Sequence, residues 1–389
     1  MKIISVVGAR PNFMKIAPFI RAIEDFNFDH NNTIRHILVH TGQHYDIRMS
    51  EAFFRELSIP EPDINLEIGS GSHAEQLGYT MIVFEKVLLE HKPDWVVVAG
   101  DVNATLSCSV AAKRLNIKVC HIEAGLRSGD LSMPEEINRL VTDRISDLLL
   151  TPDTISSANL RSEGIPDHKI AFVGNIMIDT LEANREIASA LTLKDIINNN
   201  LSQGFNFRGA TPSDNSYAVM TLHRPSNVDQ EQVFVKLIEF LFNEVTRDFT
   251  LIWPIHPRAK KQLKTFGLWE RVLENESIIL LEPIGYNEML RLNIGAMIML
   301  TDSGGLQEEY CILGTPCLTL RWNTERPVTL REYGGVSVLV GNDTNRIREE
   351  YHVAIAQERR PTRPELWDGR TAERCLHAIL KMSNQNDSR

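Results

Sequence analysis

Short apolar runs recur along the chain, with helical patterns between them. In the first half, the runs predict strands at residues 3–7, 34–39, 95–99, 119–122, 148–150 and 170–173. Because the runs are almost continuous and do not alternate with polar residues, they are typical of parallel strands covered on both faces. The intervening patterns predict helices at residues 14–25, 76–89, 104–115 and 134–146. Such alternation of strand and helix predicts a doubly wound α/β domain.

A polar stretch divides the alternation into two series. Residues 191–215 are rich in Asn, Ser, Gly and Pro, which predicts a loop or linker. Strands are then predicted at residues 218–222, 251–254, 278–281, 297–300, 317–320 and 336–340. We therefore predict an α/β protein of two Rossmann-like doubly wound domains, residues 1–180 and 181–366. A C-terminal helix, within about 367–389, is a candidate to pack back on the first domain.

Polar residues follow the predicted strands of both series. Arg10, Asp101 and Glu123 come directly after or soon after strands of the first series, and His223 and Ser303 do so in the second. Ligands of open parallel sheets bind beyond the carboxyl ends of the strands. The repeated polar strand ends therefore predict one ligand-binding cleft between the two domains.

The clearest single signal is the turn Ser303-Gly304-Gly305, which joins a strand directly to a helix. Glycines let the backbone approach a phosphate, and the free N–H groups of a helix start favour an anion. Glu308 and Glu309 fall in the first two turns, where a carboxylate can accept both ribose hydroxyls. The same turn is also common where nothing binds. The chain has no G-x-G-x-x-G after its first strand and no G-x-x-x-x-G-K-[ST] loop, which disfavours NAD and Walker-type ATP sites.

Three carboxylates of the first series are candidate acid/base groups. Asp101, Glu123 and Glu135 lie in or near strand-end loops. Removal of a weakly acidic C–H proton needs a positioned, partly desolvated base, and neighbouring carboxylates raise one another's pKa. Alternatives stay open: Asp101 can instead cap the helix that begins near residue 104, Glu135 can simply complement a helix dipole, and His223 can be structural.

Composition excludes several classes of protein. The net charge is −10 and no run of Lys or Arg is present, which argues against a nucleic-acid partner. The apolar stretches are far too short to span a membrane, and no signal-peptide cleavage site follows the first one. The 5 scattered cysteines form no C-x-x-C pair and favour a reducing cytoplasm. His36, His40 and His44 fall in a predicted strand and turn, so no metal site is predicted.

Taken together, the motifs resemble those of the non-hydrolysing UDP-N-acetylglucosamine 2-epimerases. In family order they are VVGARPNFMKIAP, HTGQHYD, GDVNATL, HIEAGLRSGD, MPEEINR, TLHRPSN, PIHPR, TDSGGLQEE and NTERP, across residues 6–327. The resemblance implies a GT-B-type fold with the active site between two Rossmann-like domains, in a protein that is commonly a homodimer. It also implies cofactor-free chemistry without nicotinamide or metal. UDP leaves by anti elimination across C1–C2 to give 2-acetamidoglucal, and then adds back after protonation of the other face.

The resemblance also assigns roles to individual residues. Those expected to hold the diphosphate are Arg10, His223, Ser303, Gly304 and Gly305. Glu309 is expected to hold the ribose, and Lys15, Met289 and Arg326 are counted in the same substrate-binding set. The matching catalytic carboxylates are Asp101, Glu123 and Glu135, and His223 is often counted with them.

The chain departs from the family pattern at two points, although its NTERP segment indicates the N-acetylglucosamine substrate. The loop before the Pro-Glu-Glu of MPEEINR is short, and Val328 stands where the family often has an acid. The short form also resembles members that act on UDP-2,3-diacetamido-glucuronic acid. A GT-B glycosyltransferase with the same nucleotide pocket is a further alternative, against which the three carboxylates argue.

Overall fold

The computed structural model describes residues 1–42, 59–205, 207 and 209–386 of the chain. These residues form two compact units. The N-terminal unit comprises Met1–Ala183 and Pro364–Arg389, and the C-terminal unit comprises Asn184–Arg363. From Gln43 onward the HTGQHYD motif, including His44, lies outside the described residues.

The N-terminal unit is built on a 7-stranded parallel sheet in the order β3-β2-β1-β4-β5-β6-β7. Its strands are β1 Lys2–Val7, β2 Arg35–His40, β3 Ile64–Asn65, β4 Trp95–Ala99, β5 Lys118–Ile122, β6 Leu148–Thr151 and β7 Ile170–Phe172. Every residue of β4 is buried, because this central strand is covered on both faces. The continuous apolar runs therefore predicted six of the 7 strands of this sheet, and the short strand β3 was not predicted.

Helices cover the N-terminal sheet. They are α1 Arg10–Asp29, α2 His73–His91, α3 Asn103–Arg114, α4 Pro134–Ile145, α5 Thr154–Ser162, α6 Ile176–Ala190 and the C-terminal helix Thr371–Asn386, labelled α16 in chain order. Helix α6 begins in this unit, and its residues from Asn184 onward belong to the C-terminal unit. Phe84 of α2 and Cys108 of α3 belong to one buried cluster with Val96 and Val98 of β4. This cluster forms the core on one side of the sheet.

The C-terminal unit repeats the arrangement with 6 parallel strands in the order β10-β9-β8-β11-β12-β13. Its strands are β8 Tyr217–Thr221, β9 Thr250–Pro254, β10 Ile278–Leu281, β11 Ile298–Thr301, β12 Cys317–Thr319 and β13 Ser337–Leu339. In both sheets the strand order reverses beside the unit's first strand, between β1 and β4 and between β8 and β11. Such switch points open a crevice beyond the carboxyl ends of the strands, where doubly wound proteins bind ligands.

The helices of the C-terminal unit are shorter on average. They are α7 Leu193–Asn200, α8 Pro225–Val228, α9 Glu231–Phe240, α10 Thr246–Asp248, α11 Pro257–Thr265, α12 Trp269–Glu274, α13 Tyr286–Gly295, α14 Gly304–Leu313 and α15 Thr344–Ile355. A π-helical turn, Leu241–Val245, joins α9 to α10. The predicted class of fold, two Rossmann-like doubly wound α/β domains, is thus confirmed.

The prediction of a loop over residues 191–215 is wrong in its first part. Helix α7 occupies Leu193–Asn200, with Leu193, Ile196 and Ile197 buried. These three residues give the helix an apolar face that packs on the C-terminal sheet, while the run of Asn residues covers the other face. Thr192 caps the helix by accepting a hydrogen bond from the backbone N–H of Asp195.

The C-terminal helix packs on the N-terminal unit. α16 contacts α1. Asp179 of α6 is buried and accepts the backbone N–H groups of Thr371 and Ala372 at 3.0 and 2.7 Å, so it caps the first turn of α16. Among the described residues, no helix is long and apolar enough to cross a membrane.

Candidate functional site

The start of α14 has the features of an anion-binding helix terminus. Ser303 is its N-cap residue and makes no side-chain capping bond, which leaves the first N–H groups of the helix without that partner. An added Cβ at Gly305 would meet nothing within 4 Å, so this position is open. The helix dipole and the open glycine together suit a phosphate at this point. The sequence prediction of a strand, glycine turn and helix is confirmed here.

Gly304 faces the opposite way, into a buried group of ion pairs. An added Cβ would lie 2.6 Å from Glu325 Oε1 and 2.9 Å from Arg326 Nη1. Arg326 pairs with Glu308 at 2.9 Å and also with Glu325. Arg321 Nη2 donates to Glu325 Oε2 at 2.7 Å. Two guanidinium groups therefore offset two carboxylates, and much of the charge of Arg326 is already compensated inside the protein.

Glu309 lies on the buried face of α14. It is 2% exposed, and Asn293 Nδ2 donates to its carboxylate at 3.1 Å. Burial raises the pKa of Glu309 to about 7, although hydrogen bonds from Asn293 and Tyr286 act in the opposite direction. Met289 lies on the neighbouring helix α13 and packs, partly buried, against the hydrophobic cluster that contains Tyr310.

His223 follows β8 and is held by the carboxylate that ends β11. Its Nδ1 lies 2.7 Å from Asp302 Oδ1, and its side chain is 41% exposed. Burial opposes the charge of Asp302, but the hydrogen bond and charge of His223 and the backbone N–H groups of His223 and Arg224 outweigh it, so the pKa of Asp302 is lowered. Asp302 is part of the TDSGG motif, yet the sequence analysis did not select it.

In the N-terminal unit, Lys15 and Glu123 form a buried ion pair. Each residue is 5% exposed. The pair lies above Gly100, where an added Cβ would be 2.7 Å from Lys15 Nζ and 3.2 Å from Glu123 Oε2. Gly100 has φ +68, a conformation that also favours glycine. The strand end at Gly100 thus leaves just enough space for this pair.

Glu123 itself has a strained backbone. Its φ is +72, which is uncommon for a residue with a side chain and typical of functional sites. The turn is held from behind by Asp143, whose Oδ2 accepts the backbone N–H of Gly125 at 3.0 Å. Asp143 Oδ1 lies 2.6 Å from His121 Nδ1, and His121 Nε2 lies 2.8 Å from the carbonyl oxygen of Gly100. His121 and Asp143 therefore connect the Gly100 and Glu123 loops, a role that the sequence analysis missed.

Charge and hydrogen bonding also explain how the buried Asp143 carboxylate stays charged. It is 1% exposed and lies 2.7 Å from Arg127 Nη1. Burial alone would raise the pKa of Asp143, but His121 and Arg127 together lower it. The carboxylate is consequently held in its charged form behind Glu123.

Asp101 contacts helix α4 rather than capping α3. The N-cap residue of α3 is Val102, which makes no side-chain capping bond, so the capping alternative for Asp101 is wrong. The Asp101 carboxylate pairs with Arg139, and Asn138 Nδ2 donates to its carbonyl oxygen at 2.8 Å. Arg139 was missed as a single residue, although it ends the MPEEINR motif.

The two acids of MPEEINR differ in environment. Glu136 is buried and accepts the backbone N–H groups of Ser128 and Gly129 at 3.0 and 2.9 Å. Burial acts to raise the pKa of Glu136, but these hydrogen bonds and the charge of Arg139 outweigh burial, so the pKa is lowered. Glu135 is exposed in the first turn of α4, one turn before Arg139 on the same face of the helix.

Arg10 and the possible metal ligands complete the set of candidate site residues. Arg10 begins α1, but its side chain lies outside the part of the chain that the structure describes. Within the described ranges, no group of three or more His, Cys, Asp or Glu side chains is arranged to hold a metal ion. His36 is hydrogen-bonded to Ser5 Oγ at 3.0 Å, and burial lowers its pKa to about 4.

Comparison with known proteins agrees with this geometry. A family model described as UDP-N-acetylglucosamine 2-epimerase matches residues 27–380. The chain is 42% identical over 380 residues to a UDP-N-acetylglucosamine 2-epimerase of Methanocaldococcus jannaschii, covering 97% of this chain and 99% of that protein. It is 35% identical to a UDP-2,3-diacetamido-2,3-dideoxy-D-glucuronate 2-epimerase of Pseudomonas aeruginosa, covering 98% of this chain and 100% of that protein.

A solved structure gives the same result. The crystal structure of the Methanocaldococcus jannaschii UDP-GlcNAc 2-epimerase in complex with UDP-GlcNAc and UDP superimposes with a TM-score of 0.86 at 41% identity. The alignment covers 98% of this chain and 100% of that chain. Similarity therefore extends over both units and is not confined to the nucleotide-binding motif.

Proposed function

This chain belongs to the UDP-N-acetylglucosamine 2-epimerase family, and we propose that it converts UDP-N-acetylglucosamine to UDP-N-acetylmannosamine without a cofactor. The observation that carries the proposal is the match of the family model to residues 27–380. It spans the acidic strand ends of the N-terminal unit as well as the glycine-opened helix of the C-terminal unit. In this proposal the acidic residues transfer protons and the glycine-opened helix binds the leaving UDP.

The reaction breaks and re-forms two bonds. A base takes the C2 proton, the C–H electron pair becomes the C1=C2 double bond, and the C1–O electron pair leaves with the β-phosphate. The products are 2-acetamidoglucal and UDP. Return of a proton to the opposite face of C2 and attack of UDP on C1 give the manno epimer. Proton transfers on two faces require more than one acid/base group.

Stabilisation of the leaving UDP falls to the C-terminal unit. Charge develops on the β-phosphate as the C1–O bond breaks, and preorganised donors stabilise charge where it develops. The first N–H groups of α14, the open position at Gly305 and the exposed edge of His223 support this role. Arg10 and Arg326 are proposed as further diphosphate partners, Glu309 as the ribose acceptor and Met289 as a wall of the pocket.

Proton transfer falls to the carboxylates of the N-terminal unit. Asp101, Glu123 and Glu135 are proposed as the acid/base set, with Lys15 beside Glu123. The strained backbone of Glu123 and its burial against Lys15 support this choice, because a partly desolvated carboxylate at a fixed position is suited to C–H chemistry. The buried network behind it fixes that position.

Proton NMR in D2O tests the proposal. Incubation of UDP-N-acetylglucosamine with the purified chain and no added cofactor should give the manno epimer with deuterium at C2. Glu123→Gln should slow both processes at least about 100-fold, the range of a lost general base. Glu24→Gln, the same charge change on the exposed face of α1, should leave them unchanged. Folded protein that neither epimerises the sugar nor exchanges its C2 proton would disprove the proposal.

A second candidate substrate is UDP-2,3-diacetamido-2,3-dideoxy-D-glucuronate. The 35% identity to the Pseudomonas aeruginosa enzyme over its full length favours it, as does the short MPEEINR segment. The chemistry at C1 and C2 is the same. Measurement of kcat/KM for the two UDP-sugars decides between them. If the uronate is the true substrate, its kcat/KM should exceed that of UDP-N-acetylglucosamine.

We also propose that the chain is a homodimer of the cytoplasm. Its 5 cysteines are free and buried, as suits a reducing compartment. Helices α2 and α4 both pack on α3 and carry exposed apolar side chains, including Ile82 at 56% and Ile137 at 47%. Apolar surface of this kind favours association. Light scattering after size-exclusion chromatography should give twice the monomer mass. The Ile82→Glu variant should give a lower mass, closer to that of the monomer.

A further inference from the structure

The carboxylate of Asp302 lies between the loop that carries His223 and the start of α14. We infer that Asp302 is a positioning residue that fixes the His223 ring with Nδ1–H inward and Nε2 toward the UDP diphosphate. The inference rests on the proposed function only for the identity of the ligand. The hydrogen-bond geometry that carries it belongs to the C-terminal unit alone.

The contacts of Asp302 define the orientation of the ring. Asp302 is 0% exposed, and its Oδ1 lies 2.7 Å from His223 Nδ1. Its Oδ2 accepts the backbone N–H groups of Arg224 at 2.8 Å and His223 at 3.0 Å, and Asn227 Nδ2 at 3.1 Å. A charged carboxylate has no proton to donate, so His223 Nδ1 must be the donor. Nε2 is then the nitrogen left for a ligand.

The same residue ties two parts of the diphosphate site together. Thr221 of β8 and Thr301 of β11 are paired in the sheet, so His223 and Asp302 follow neighbouring strands. Arg224 Nε also donates to the carbonyl oxygen of Asp302 at 3.0 Å. Since Ser303 follows Asp302 directly, displacement of this carboxylate would disturb both His223 and the start of α14.

Two side chains of the C-terminal unit face the His223 ring. On one side of the His223 ring is the Asp302 carboxylate. Arg224 is the residue next to His223 in the chain. On the other side is the His256 ring, with a centroid distance of 5.6 Å. His256 Nδ1 accepts the backbone N–H of Arg258 at 3.1 Å, which holds His256 neutral. Burial and His223 also lower the pKa of His256. A ring that carries both protons donates from Nδ1 to Asp302 and can donate from Nε2 to a phosphate oxygen.

Asp302→Asn separates this role from simple packing. The amide keeps the shape and the oxygen that accepts backbone N–H groups, but its NH2 group would face His223 Nδ1. Nδ1 would then accept instead of donate, and the ring would lose the contact that holds Nδ1–H inward. Asp153→Asn is the matched control, because Asp153 is also a buried aspartate that caps a helix, α5, by accepting from the Ser156 N–H at 2.6 Å.

Titration calorimetry with UDP is performed on the full chain and on Asp302→Asn, His223→Asn and the double variant. Each single change should weaken UDP binding about tenfold or more, the loss expected when one charge-assisted hydrogen bond is removed. The double variant should bind no more weakly than His223→Asn, because Asp302 acts through the ring. Asp153→Asn should bind UDP as the unaltered chain does. Multiplied losses in the double variant would overturn the inference.

Nitrogen-15 NMR of the histidine rings gives a second, independent measurement on the unaltered protein. The His223 signals are identified by their absence in His223→Asn, and Nδ1 should be a protonated nitrogen. An unprotonated Nδ1 would overturn the inference even if Asp302→Asn does not fold. Failure of the chain to epimerise UDP-N-acetylglucosamine would instead remove the proposed function and leave the ring assignment intact.

Discussion

Replacement of Gly305 by alanine should strengthen the fold and weaken nucleotide binding at once. The added methyl group would meet no atom within 4 Å, and the backbone of Gly305 is already helical. A helical Gly→Ala change without strain stabilises a protein by about 0.4–1 kcal/mol, mainly through the unfolded chain. For a domain of this size that corresponds to a rise of up to about 4 °C in Tm.

The same methyl group would stand where the phosphate must approach the helix N-terminus. If it removes one hydrogen bond to the charged diphosphate, the loss is about 1.5–3 kcal/mol. The Kd for UDP should therefore increase roughly 10- to 100-fold. The opposite signs of the two effects make the prediction specific, because general damage to the fold would weaken both properties.

Gly304→Ala is the control, since it adds the same atom one residue earlier. Its Cβ would lie 2.6 Å from Glu325 Oε1 and 2.9 Å from Arg326 Nη1, so the buried ion pairs would have to shift. Overpacking of this kind costs about 1–3 kcal/mol and should lower Tm. Both variants are measured by thermal unfolding without ligand and by calorimetry with UDP. A Gly305→Ala protein that binds UDP as tightly as the unaltered chain would refute the reasoning.

Three other changes should have distinct effects. Since burial raises the pKa of Glu309 from 4.5 to about 7, its site binds more protons folded than unfolded, and the free energy of unfolding should fall by about 3 kcal/mol as pH rises from 4.5 to 7. Glu309→Gln should abolish that part of the slope in urea unfolding. Gly100→Ala should lower stability and slow C2 exchange more than tenfold, because the added Cβ would lie 2.7 Å from Lys15 Nζ. Asp143→Asn should cost about 3 kcal/mol or more in urea unfolding, since it removes one charge from a buried network.

The changes at Gly100 and Asp143 each have a control in the same chain. Gly164 has φ +79 but an added Cβ would meet nothing within 4 Å, so Gly164→Ala measures backbone strain without the clash at Gly100. Asp167 pairs with Arg161 but is 78% exposed, so Asp167→Asn should cost less than about 1 kcal/mol. Equal losses within either pair would contradict the argument from burial. For Glu309, a Gln variant whose free energy of unfolding depends on pH as in the unaltered chain would contradict it.

Much of the fold could be predicted because its strands are buried on both faces. Continuous apolar runs indicated β1, β4 and most of their neighbours, and the glycine turn at residues 303–305 indicated the start of α14. Strand β3 has only 2 residues, Ile64–Asn65, too few to form a pattern. Helix α7 was missed because its Asn-rich surface masks the apolar face made by Leu193, Ile196 and Ile197.

The candidate site was predictable where its residues stand in motifs and less so where they act through space. Asp143 lies 18 residues after Gly125, whose N–H it accepts, and no local pattern marks that contact. The sequence also does not show which of two adjacent acidic side chains is buried. Of Glu135 and Glu136, only the structure distinguishes the exposed side chain from the one buried against Arg139. Adjacent helical residues point about 100° apart, so one of such a pair is often buried alone.

The central claim is that the C1–O bond breaks whenever the C2 configuration changes. UDP-N-acetylglucosamine labelled with oxygen-18 in the bridge between C1 and the β-phosphorus tests it directly by phosphorus-31 NMR. The account predicts that part of the label moves into non-bridging positions of the β-phosphate as the manno epimer forms, since C1–O cleavage makes the three terminal oxygens of the UDP β-phosphate equivalent on rotation. Formation of the manno epimer with the label still confined to the bridge would contradict it.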